Sequence, residues 1–332
     1  MTVRYFLVCT LPAFLFIMAA AGIFGLEALV LACRLGRLGL PKCFTRRRLI
    51  LLHILTAIGL LCILWGFFIE PYRLQTTFIT ISTPKLEGTS FRIVQISDLH
   101  CGKKARLEPR LPDAINRLHP DIVVFTGDAL NDIAALGLLQ QTLSSISAPL
   151  GKFAVRGNVD NRLFPNIPLF ENTGFTELSL DAVVLEKDGR SIGLCGIDHA
   201  EGRRSRQALK HLQPERFNIL LFHTTDLVDY LEDCPVDLYL CGHTHGGQIA
   251  LPVWGALVTQ SLHGKQYEAG LFRKGSLSIY VNRGIGMTGG WAPPIRFLAP
   301  PEITVIDLVP QNAQTESKSS EPVKQESSHE LL

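Results

Sequence analysis

Side chains that can bind metal ions recur in this sequence directly after short apolar runs. Five such runs end in SDLH (97–100), TGD (126–128), RGNVD (156–160), a histidine at 223, and CGHTHGGQ (241–248). The candidate ligands in them are Asp98, His100, Asp128, Asn158, His223, His243 and His245. The set contains two carboxylates, one amide and four imidazoles, but no thiolate. These seven ligands are too many for one ion. They suit two first-row divalent cations that share a bridging carboxylate.

Most of these motifs are weak evidence when taken singly. Gly-Asp and Gly-Asn after a strand are ordinary turn signals, and only Gly-His-Thr-His-Gly-Gly, at 242–247, is moderately specific. Their order and their common position after apolar runs make a chance arrangement improbable. Four further histidines have no comparable setting, and we expect them to be surface or loop residues: His119, His199, His211 and His263.

The spacing of the ligands predicts how the backbone presents them. If the chain is extended at Asp98 and His100, alternate side chains point to one side, and the same holds for His243 and His245. Glycines precede Asp128, Asn158 and His243 in the chain and permit sharp turns close to the ligands.

The elements that must position these residues alternate along the chain. Strands are predicted at 91–96, 121–125, 153–155, 182–186, 191–196, 218–222, 236–240, 277–281 and 303–306. Helical spacing occurs at 107–118, 133–146, 203–211 and 226–232. Such alternation predicts an α/β domain, and the surplus of strands late in the chain favours two stacked sheets. Because strand ends in α/β sheets meet at a common crevice, the five motifs are expected to converge there.

The first part of the chain differs from the rest because it is strongly apolar. Segments 5–26 and 49–69 are each about long enough, at roughly 20 residues, to cross a bilayer as a helix. We predict a multi-pass protein of the cell (inner) membrane whose anchor spans 1–73. The alternative is a cleaved signal peptide, for which Pro12 and the small residues at 19–22 offer some support.

Basic residues are concentrated between the two apolar segments. The net charge is only +2, yet residues 34–48 hold six basic residues and no acid: Arg34, Arg37, Lys42, Arg46, Arg47 and Arg48. Under the positive-inside tendency this loop stays in the cytoplasm and the domain that follows faces outward. Arg4, Arg73 and the terminal amine compete with that orientation, and contact of the loop with anionic lipid is the alternative. The remainder is mildly acidic, so we expect no nucleic-acid partner.

Composition also divides the rest of the chain. Residues 74–309 are enough for one domain with its own core, whereas 310–332 are rich in Ser, Glu, Gln and Lys and predict a disordered tail. No two of the eight cysteines have the Cys-x-x-Cys spacing of zinc sites. We interpret them as small buried residues.

At the ligand motifs the sequence resembles the calcineurin-like metallophosphoesterase superfamily, over 91–308, and within it the membrane-anchored YkuE-type branch. Further shared strings are EPYRL (70–74), LPVWGAL (251–257), YVNRGIG (280–286) and PEITVIDL (301–308). The resemblance implies a four-layer αββα sandwich, here preceded by two transmembrane helices, with a dinuclear centre. One metal would be held by Asp98, His100, Asp128 and His245, the other by Asp128, Asn158, His223 and His243. Imidazole and carboxylate ligands favour Mn²⁺, with Fe²⁺, Zn²⁺ or Mg²⁺ as alternatives.

One departure from the family pattern concerns the leaving group. Most relatives have histidine where this chain has Val159, and that histidine helps to protonate the leaving oxygen or to stabilise the transition state. Either activity is lost here, or the leaving group needs little help, as the phosphate of a diphosphate does. Besides Asp128 and Asn158, we expect Arg156 and Arg162 to act on such a substrate, unless they are merely solvated loop residues.

Bacterial UDP-2,3-diacylglucosamine pyrophosphatases of lipid A synthesis belong to the same superfamily and also replace that histidine. The leading hypothesis is therefore a membrane-anchored hydrolase that converts UDP-2,3-diacylglucosamine to UMP and 2,3-diacylglucosamine 1-phosphate. UDP-sugars are cytoplasmic, so an outward-facing domain would instead favour an envelope phosphodiesterase or phosphatase of YkuE type. A non-catalytic module that binds phospholipid head groups is a second alternative.

Overall fold

The computed structural model describes residues 11–36, 40, 44–288 and 294–311. The helices are α1 (Leu11–Leu35), α2 (Arg46–Phe68), α3 (Leu111–Asn116), α4 (Leu136–Ser144), α5 (Asn158–Leu163) and α6 (Ser205–Leu209). The strands are β1 (Gln75–Thr83), β2 (Phe91–Ile96), β3 (Ile122–Phe125), β4 (Lys152–Ala154), β5 (Phe175–Glu177), β6 (Leu180–Lys187), β7 (Arg190–Ile197), β8 (Phe217–Leu221), β9 (Leu238–Cys241), β10 (Ala250–Leu251), β11 (Gly255–Ala256), β12 (Gly270–Lys274), β13 (Leu277–Val281) and β14 (Glu302–Pro310). Most of the tail predicted at 310–332 lies outside the described residues.

Two six-stranded sheets carry the domain. The first has the order β1-β14-β2-β3-β4-β5, and the second has the order β12-β13-β9-β8-β7-β6. Strands β2 to β5 are parallel to one another, as are β13, β9, β8 and β7. The parallel strands therefore deliver the loops at their carboxyl ends to one edge of each sheet.

Apolar side chains on both faces of the central strands explain why the sheets stack. In β3, Ile122 and Val124 belong to the core between the sheets, whereas Val123 and Phe125 belong to the core under the first sheet's helices. Strand β9 alternates in the same way between that central core and the core packed against α6. This period of two buries each sheet on both sides and confirms the expected αββα layers.

The segments around this framework differ from the sequence-based expectations in several places. Strands β1, β5, β10, β11 and β12 were not expected; β1 mixes threonine and serine with three apolar residues at a sheet edge, so it lacks a continuous apolar run. The helix predicted at 226–232 is wrong: the chain forms only the 3₁₀ turn Val228–Tyr230. Helix α5, which begins at a candidate ligand, was also not foreseen.

Both amino-terminal helices are long and apolar enough to cross a membrane. Helix α1 extends past the predicted end at residue 26, and the predicted start at residue 5 lies outside the described residues. Helix α2 begins three residues early because Arg46, Arg47 and Arg48 form its first turn. The loop expected at 34–48 is correspondingly shorter, since Arg34 lies in the last turn of α1. Arg37 and Lys42 lie outside the described residues.

An interhelical pair accounts for the extra length of α1. Glu27, which we expected to follow the span, has its Oε1 at 2.8 Å from Nδ1 of His53 on α2. The carboxylate of Glu27 and the imidazole of His53 therefore face each other instead of the surrounding apolar medium. Helix α1 continues past the carboxylate.

The carboxyl-terminal end of α2 is joined to the domain by backbone contact. The carbonyl of Gly66 accepts a hydrogen bond of 3.1 Å from the amide of Arg296. The following turn is fixed by buried Glu70, which accepts hydrogen bonds from Trp65 and Arg73. The membrane helix is thus held against a loop of the domain at its last turn.

This contact leaves little room for a side chain on Gly66. A Cβ atom on Gly66 would lie 3.1 Å from the carbonyl oxygen of Arg296, whereas one on Gly25 of α1 would meet nothing within 4 Å. We expect Gly66→Leu to destabilise the domain by about 1–3 kcal/mol through overpacking. Gly25→Leu, the matched control, should not do so because leucine favours helix more than glycine. Unfolding of the detergent-solubilised protein measures both, and equal midpoints would show that the contact is not tight.

Candidate metal centre

The seven candidate ligands lie at the carboxyl ends of five strands and converge at the junction of the two sheets. Loops after β2, β3 and β4 bring residues from the first sheet, and loops after β8 and β9 bring residues from the second. Two groups of donor atoms result, each with its atoms within 4.8 Å of one another: Asp98, His100 and His245, and Asp128, His223 and His243.

The first group is closely spaced and fully buried. Nε2 of His100 lies 3.2 Å from Nε2 of His245, and the two rings are stacked with centroids 5.0 Å apart. Oδ1 of Asp98 lies 3.4 Å from Nε2 of His245 and 3.9 Å from Nε2 of His100.

The second group includes the amide ligand. Nε2 of His223 lies 3.0 Å from Oδ1 of Asn158 and 3.2 Å from Nδ1 of His243. Asn158 is the first residue of α5, so the amino end of that helix carries its side chain into the cluster.

Asp128 lies between the two groups. Its Oδ2 is 3.3 Å from Nε2 of His223 and 3.7 Å from Nε2 of His100. Its Oδ1 accepts a hydrogen bond of 2.8 Å from the amide of Val159, which fixes the carboxylate. This position is the one that a carboxylate bridging two cations requires.

Hydrogen bonds on the outer side of three imidazoles determine which nitrogen faces the cluster. Nδ1 of His223 donates to the carbonyl of Thr126 at 2.7 Å, and Nδ1 of His100 pairs with Oδ1 of Asn131 at 2.7 Å. Nε2 of His243 lies 3.3 Å from the carbonyl of Gln260. With these protons directed outward, the lone pairs of the opposite nitrogens point inward, as in metal sites whose histidines are oriented by neighbouring acceptors.

These inward lone pairs need a cation to be stable. Oδ1 of Asp98 is buried without a hydrogen-bond partner and lies 3.4 Å from Nε2 of His245. A buried carboxylate oxygen without a donor is costly, and a divalent cation would satisfy it. The donor set therefore fits a dinuclear divalent metal centre.

The backbone presents the ligands differently from the sequence-based expectation. Asp98 and His100 were expected on an extended strand end, but their φ angles are +50° and +44°. His243 and His245 likewise have φ of +71° and +53°, and Asp128 has +58°. Left-handed backbone is costly for residues other than glycine and is retained where it serves a site. These turns, and not strand alternation, aim the side chains.

Two glycines allow the chain to approach the ligands closely. A Cβ atom on Gly157 would overlap Oδ1 of Asp128, and one on Gly242 would overlap Oδ2 of Asp98. Neither glycine has a positive φ, so these positions need glycine because there is no room for a Cβ atom and not because the backbone is left-handed.

Two residues that support the site were not singled out from the sequence. Buried Asp160 accepts hydrogen bonds from the amides of Gly157, Asp128 and Ala129 and so ties the two ligand loops together. Its place in RGNVD, three residues after Gly157, is the only sequence signal for it.

The second is Arg296, which is fully buried. Its guanidinium donates to the carbonyls of Gly284, Gly286 and Ala299 and lies 3.4 Å from Nδ1 of His245. It thereby fixes the loop that covers Asp98. An isolated arginine far from the motifs gives no sequence signal for this role.

Arg156, predicted to act on the substrate, is engaged in contacts within the protein. Its guanidinium is buried and binds the Glu177 carboxylate at 2.6 Å and the carbonyls of Phe164 and Ile167 at 3.0 and 2.7 Å. Its charge is therefore engaged in holding the α5 region instead of being free for a substrate. Arg162, on α5, is exposed.

His199 also departs from expectation, because it was interpreted as an ordinary loop residue. Its ring stacks on Phe222 and lies 6.0 Å from the ring of His223, centroid to centroid. His119 and His211 are exposed and belong to no ligand group among the described residues.

The close packing of charges shifts several pKa values. Burial favours the neutral form of His223, but Asp128 and Asp98 outweigh it and raise the pKa of His223 to about 10. Burial and the neighbouring His223 lower the pKa of His243 to about 3. Burial raises the pKa of Asp98 above its ordinary value. Without a metal, a proton on His223 therefore provides part of the positive charge that the carboxylates need.

Metal affinity should consequently depend on pH. A metal must displace the proton of His223, so we expect the affinity for Mn²⁺ to rise by about tenfold per pH unit per proton displaced as the pH increases towards 9. Calorimetric titration of the metal-free protein with Mn²⁺, in buffers of different ionisation enthalpy, counts the protons. His119→Ala should leave the count unchanged. Binding without proton release at pH 7 would contradict the assignment.

The two arginines on either side of the motif should differ in their effect on stability. Arg156→Ala leaves Glu177 and two carbonyls without their partner, and we expect a loss of about 2–4 kcal/mol in the free energy of unfolding. Arg162→Ala changes an exposed side chain and should stay within about 0.5 kcal/mol of the parent. Chemical unfolding in detergent compares them, and similar losses would contradict a structural role specific to Arg156.

Known proteins are similar to this chain over most of its length. Residues 91–247 match the family model described as calcineurin-like phosphoesterase. The uncharacterized metallophosphoesterase YkuE of Bacillus subtilis (strain 168) is 37% identical, over 74% of this chain and 89% of that protein. The UDP-2,3-diacylglucosamine pyrophosphatase LpxG of Chlamydia trachomatis is 31% identical, over 73% and 91%. The phosphodiesterase YaeI of Escherichia coli (strain K12) is 30% identical, over 68% and 84%.

These relatives are matched over most of their own length, and the family match begins at β2 and ends at Gly247, so it contains all seven candidate ligands. The αββα layers agree with the fold of this family, and the two clusters of donor atoms agree with its metal-dependent chemistry. The chain belongs to the calcineurin-like phosphoesterase family and is a metal-dependent hydrolase of phosphoesters.

Proposed function

We propose that the protein is a membrane-anchored pyrophosphatase that hydrolyses UDP-2,3-diacylglucosamine to UMP and 2,3-diacylglucosamine 1-phosphate. The observation that carries the proposal is the apolar residue at position 159. The side chain of Val159 is 7% exposed, and the residue gives the site only its amide, which binds Asp128. No proton donor for a leaving oxygen is present at this position.

His199, whose ring lies close to that of His223, does not replace this missing proton donor at neutral pH. Burial and the neighbouring His223 lower the pKa of His199 below its ordinary value, so His199 is neutral at pH 7. A neutral imidazole is a poor acid, and an alkoxide would leave slowly from such a site. A phosphate is a far better leaving group, which favours a diphosphate over an alkyl ester.

The roles of the chain's own residues follow from their positions. Asp98, His100, Asp128 and His245 would hold one divalent ion, and Asp128, Asn158, His223 and His243 the other; we propose Mn²⁺ as the metal. When bound, such a pair activates a water molecule and neutralises charge on the phosphoryl group. The amide of Val159 and the turns at Asp98 and His243 keep the ligands in place. Exposed Arg162, beside Asn158 on α5, offers its charge to the substrate.

The relatives and the two apolar helices support a lipid substrate. LpxG, at 31% identity, carries the name of this activity, and both helices α1 and α2 fit membrane spans. The alternative is an envelope phosphodiesterase or phosphatase, and the E. coli phosphodiesterase YaeI together with the basic residues between the helices favours it.

A direct assay distinguishes these functions. Purified protein with Mn²⁺ should release UMP from UDP-2,3-diacylglucosamine, and Asp128→Ala should reduce the rate by at least about a thousandfold, as the loss of a catalytic group does in other hydrolases. Asp132→Ala, the same change at an N-cap outside the ligand groups, should retain most activity.

Two outcomes would overturn the proposal in different ways. Cleavage of a soluble diester without UMP release would favour the phosphodiesterase. Full activity of Asp128→Ala would remove the metal-hydrolase mechanism. A reporter fused after Gln311 gives the membrane face independently, and an outward domain would exclude access to cytoplasmic UDP-sugars.

A further inference from the structure

A patch of exposed apolar side chains lies on the loops that follow the GHTHGGQ motif. We call it the rim patch; it consists of Val253, Trp254, Val258, Leu262 and Leu298. Val253 is completely exposed, and Leu262 is 80% exposed. Among the described residues after Leu74, half of the large apolar side chains that are exposed belong to this patch. Such a concentration on a soluble face is unusual without a partner.

The rim patch borders the metal centre. The carbonyl of Gln260, between Val258 and Leu262, accepts the outer hydrogen bond of His243 at 3.3 Å. The amide of Leu257 donates to the carbonyl of Ile249, four residues after His245. Whatever covers the patch is therefore in contact with the loops that form the mouth of the site.

The patch is also continuous with the end of α2. Ala250 donates to the carbonyl of Phe297 at 2.8 Å, and Arg296, the preceding residue, donates to the carbonyl of Gly66. A single length of chain, 295–298, thus joins the last turn of α2 to the segment from which the patch emerges. Leu298 lies on it, and Phe68, the last residue of α2, is itself 70% exposed.

Lysine side chains lie beside the patch and on the loop after His100. Lys265 lies over the ring of Trp254, with Nζ 5.5 Å from its centroid, and also pairs with Glu268. Lys103 and Lys104 are exposed on the loop that follows His100, and Lys103 pairs with Asp132 at 3.4 Å. An aromatic ring with cations nearby is typical of residues at the boundary between acyl chains and phosphate groups.

We propose that the rim patch is seated in the head-group region of the same bilayer leaflet that receives the carboxyl-terminal end of α2. The metal centre then opens onto the membrane surface, and the phosphate that it attacks belongs to a lipid of that leaflet. This last step rests on the proposed function, whereas the seating of the patch does not.

Quenching of Trp254 by brominated lipid tests the seating. The full chain is placed in vesicles of phosphatidylethanolamine and phosphatidylglycerol, with or without phosphatidylcholine brominated near the head-group end of its acyl chains. Subtracting the emission of Trp254→Phe isolates Trp254, because Trp65 and Trp291 are common to both proteins. We expect roughly half of the Trp254 emission to be lost, since the bromine lies at the depth of interfacial aromatic residues.

The matched control moves the tryptophan to another exposed apolar site. Val184, 47% exposed on edge strand β6, is replaced by Trp in the Trp254→Phe protein and should show little quenching. Equal quenching at both positions, or none at Trp254, would overturn the proposal. Protection of Trp254 from both bromolipid and aqueous iodide would do the same, because a second protein copy would then cover the patch.

A second variant guards against local misfolding. Val253→Asp combined with Leu262→Asp should abolish the quenching of Trp254 while the metal content stays at that of the parent, and Val184→Asp should change neither. Persistence of full quenching in the double variant would contradict the proposal. Because quenching requires no turnover, it can succeed even if UDP-2,3-diacylglucosamine is not the substrate.

Discussion

The constraint that shapes the rest of the structure lies at the junction of the two sheets, where buried carboxylates and imidazoles bring their lone pairs close together and repel one another. Asp98, Asp128 and four imidazoles face one another at distances of 3.2 to 3.9 Å, and Oδ1 of Asp98 has no donor. Such a group is stable only if positive charge lies among its members. Asp128 and Asp98 raise the pKa of His223 to about 10, so a proton on His223 supplies part of this charge when no metal is bound.

The fold holds these groups together at the expense of backbone strain. Five of the ligands have positive φ, which side chains other than glycine adopt at a cost. Asp160 ties two of the ligand loops through three backbone amides, and Arg296 fixes the loop over Asp98. The strands beneath are buried on both faces, so the ends from which these loops depart are rigid. Rigid strand ends allow the strained turns to persist.

The convergence of the candidate ligands was predictable from the sequence because each follows a strand and has a side chain of a metal-binding type. The layers were predictable because central strands such as β3 are apolar on both faces. The turn geometry was not, because left-handed backbone at Asp98 or His243 is imposed by tertiary contacts and not by the local sequence. The contacts of Arg156 were not predictable for the same reason, since its partner Glu177 follows 21 residues later in the chain. Glu27 was expected to lie after the membrane span because its partner His53, on the other helix, cannot be identified from the local sequence.

The join between α2 and the domain relates the anchor to the chemistry. Between the last turn of the membrane helix and the ligand His245 there is one residue, Arg296, whose amide binds Gly66 and whose guanidinium approaches the imidazole. A tether that served only to retain the enzyme at the membrane could have been attached anywhere on the domain surface. Attachment at this point places the metal centre close to the carboxyl-terminal end of α2. Such an attachment suits the lipid substrate proposed above, because the anchor would then supply part of the substrate's alignment.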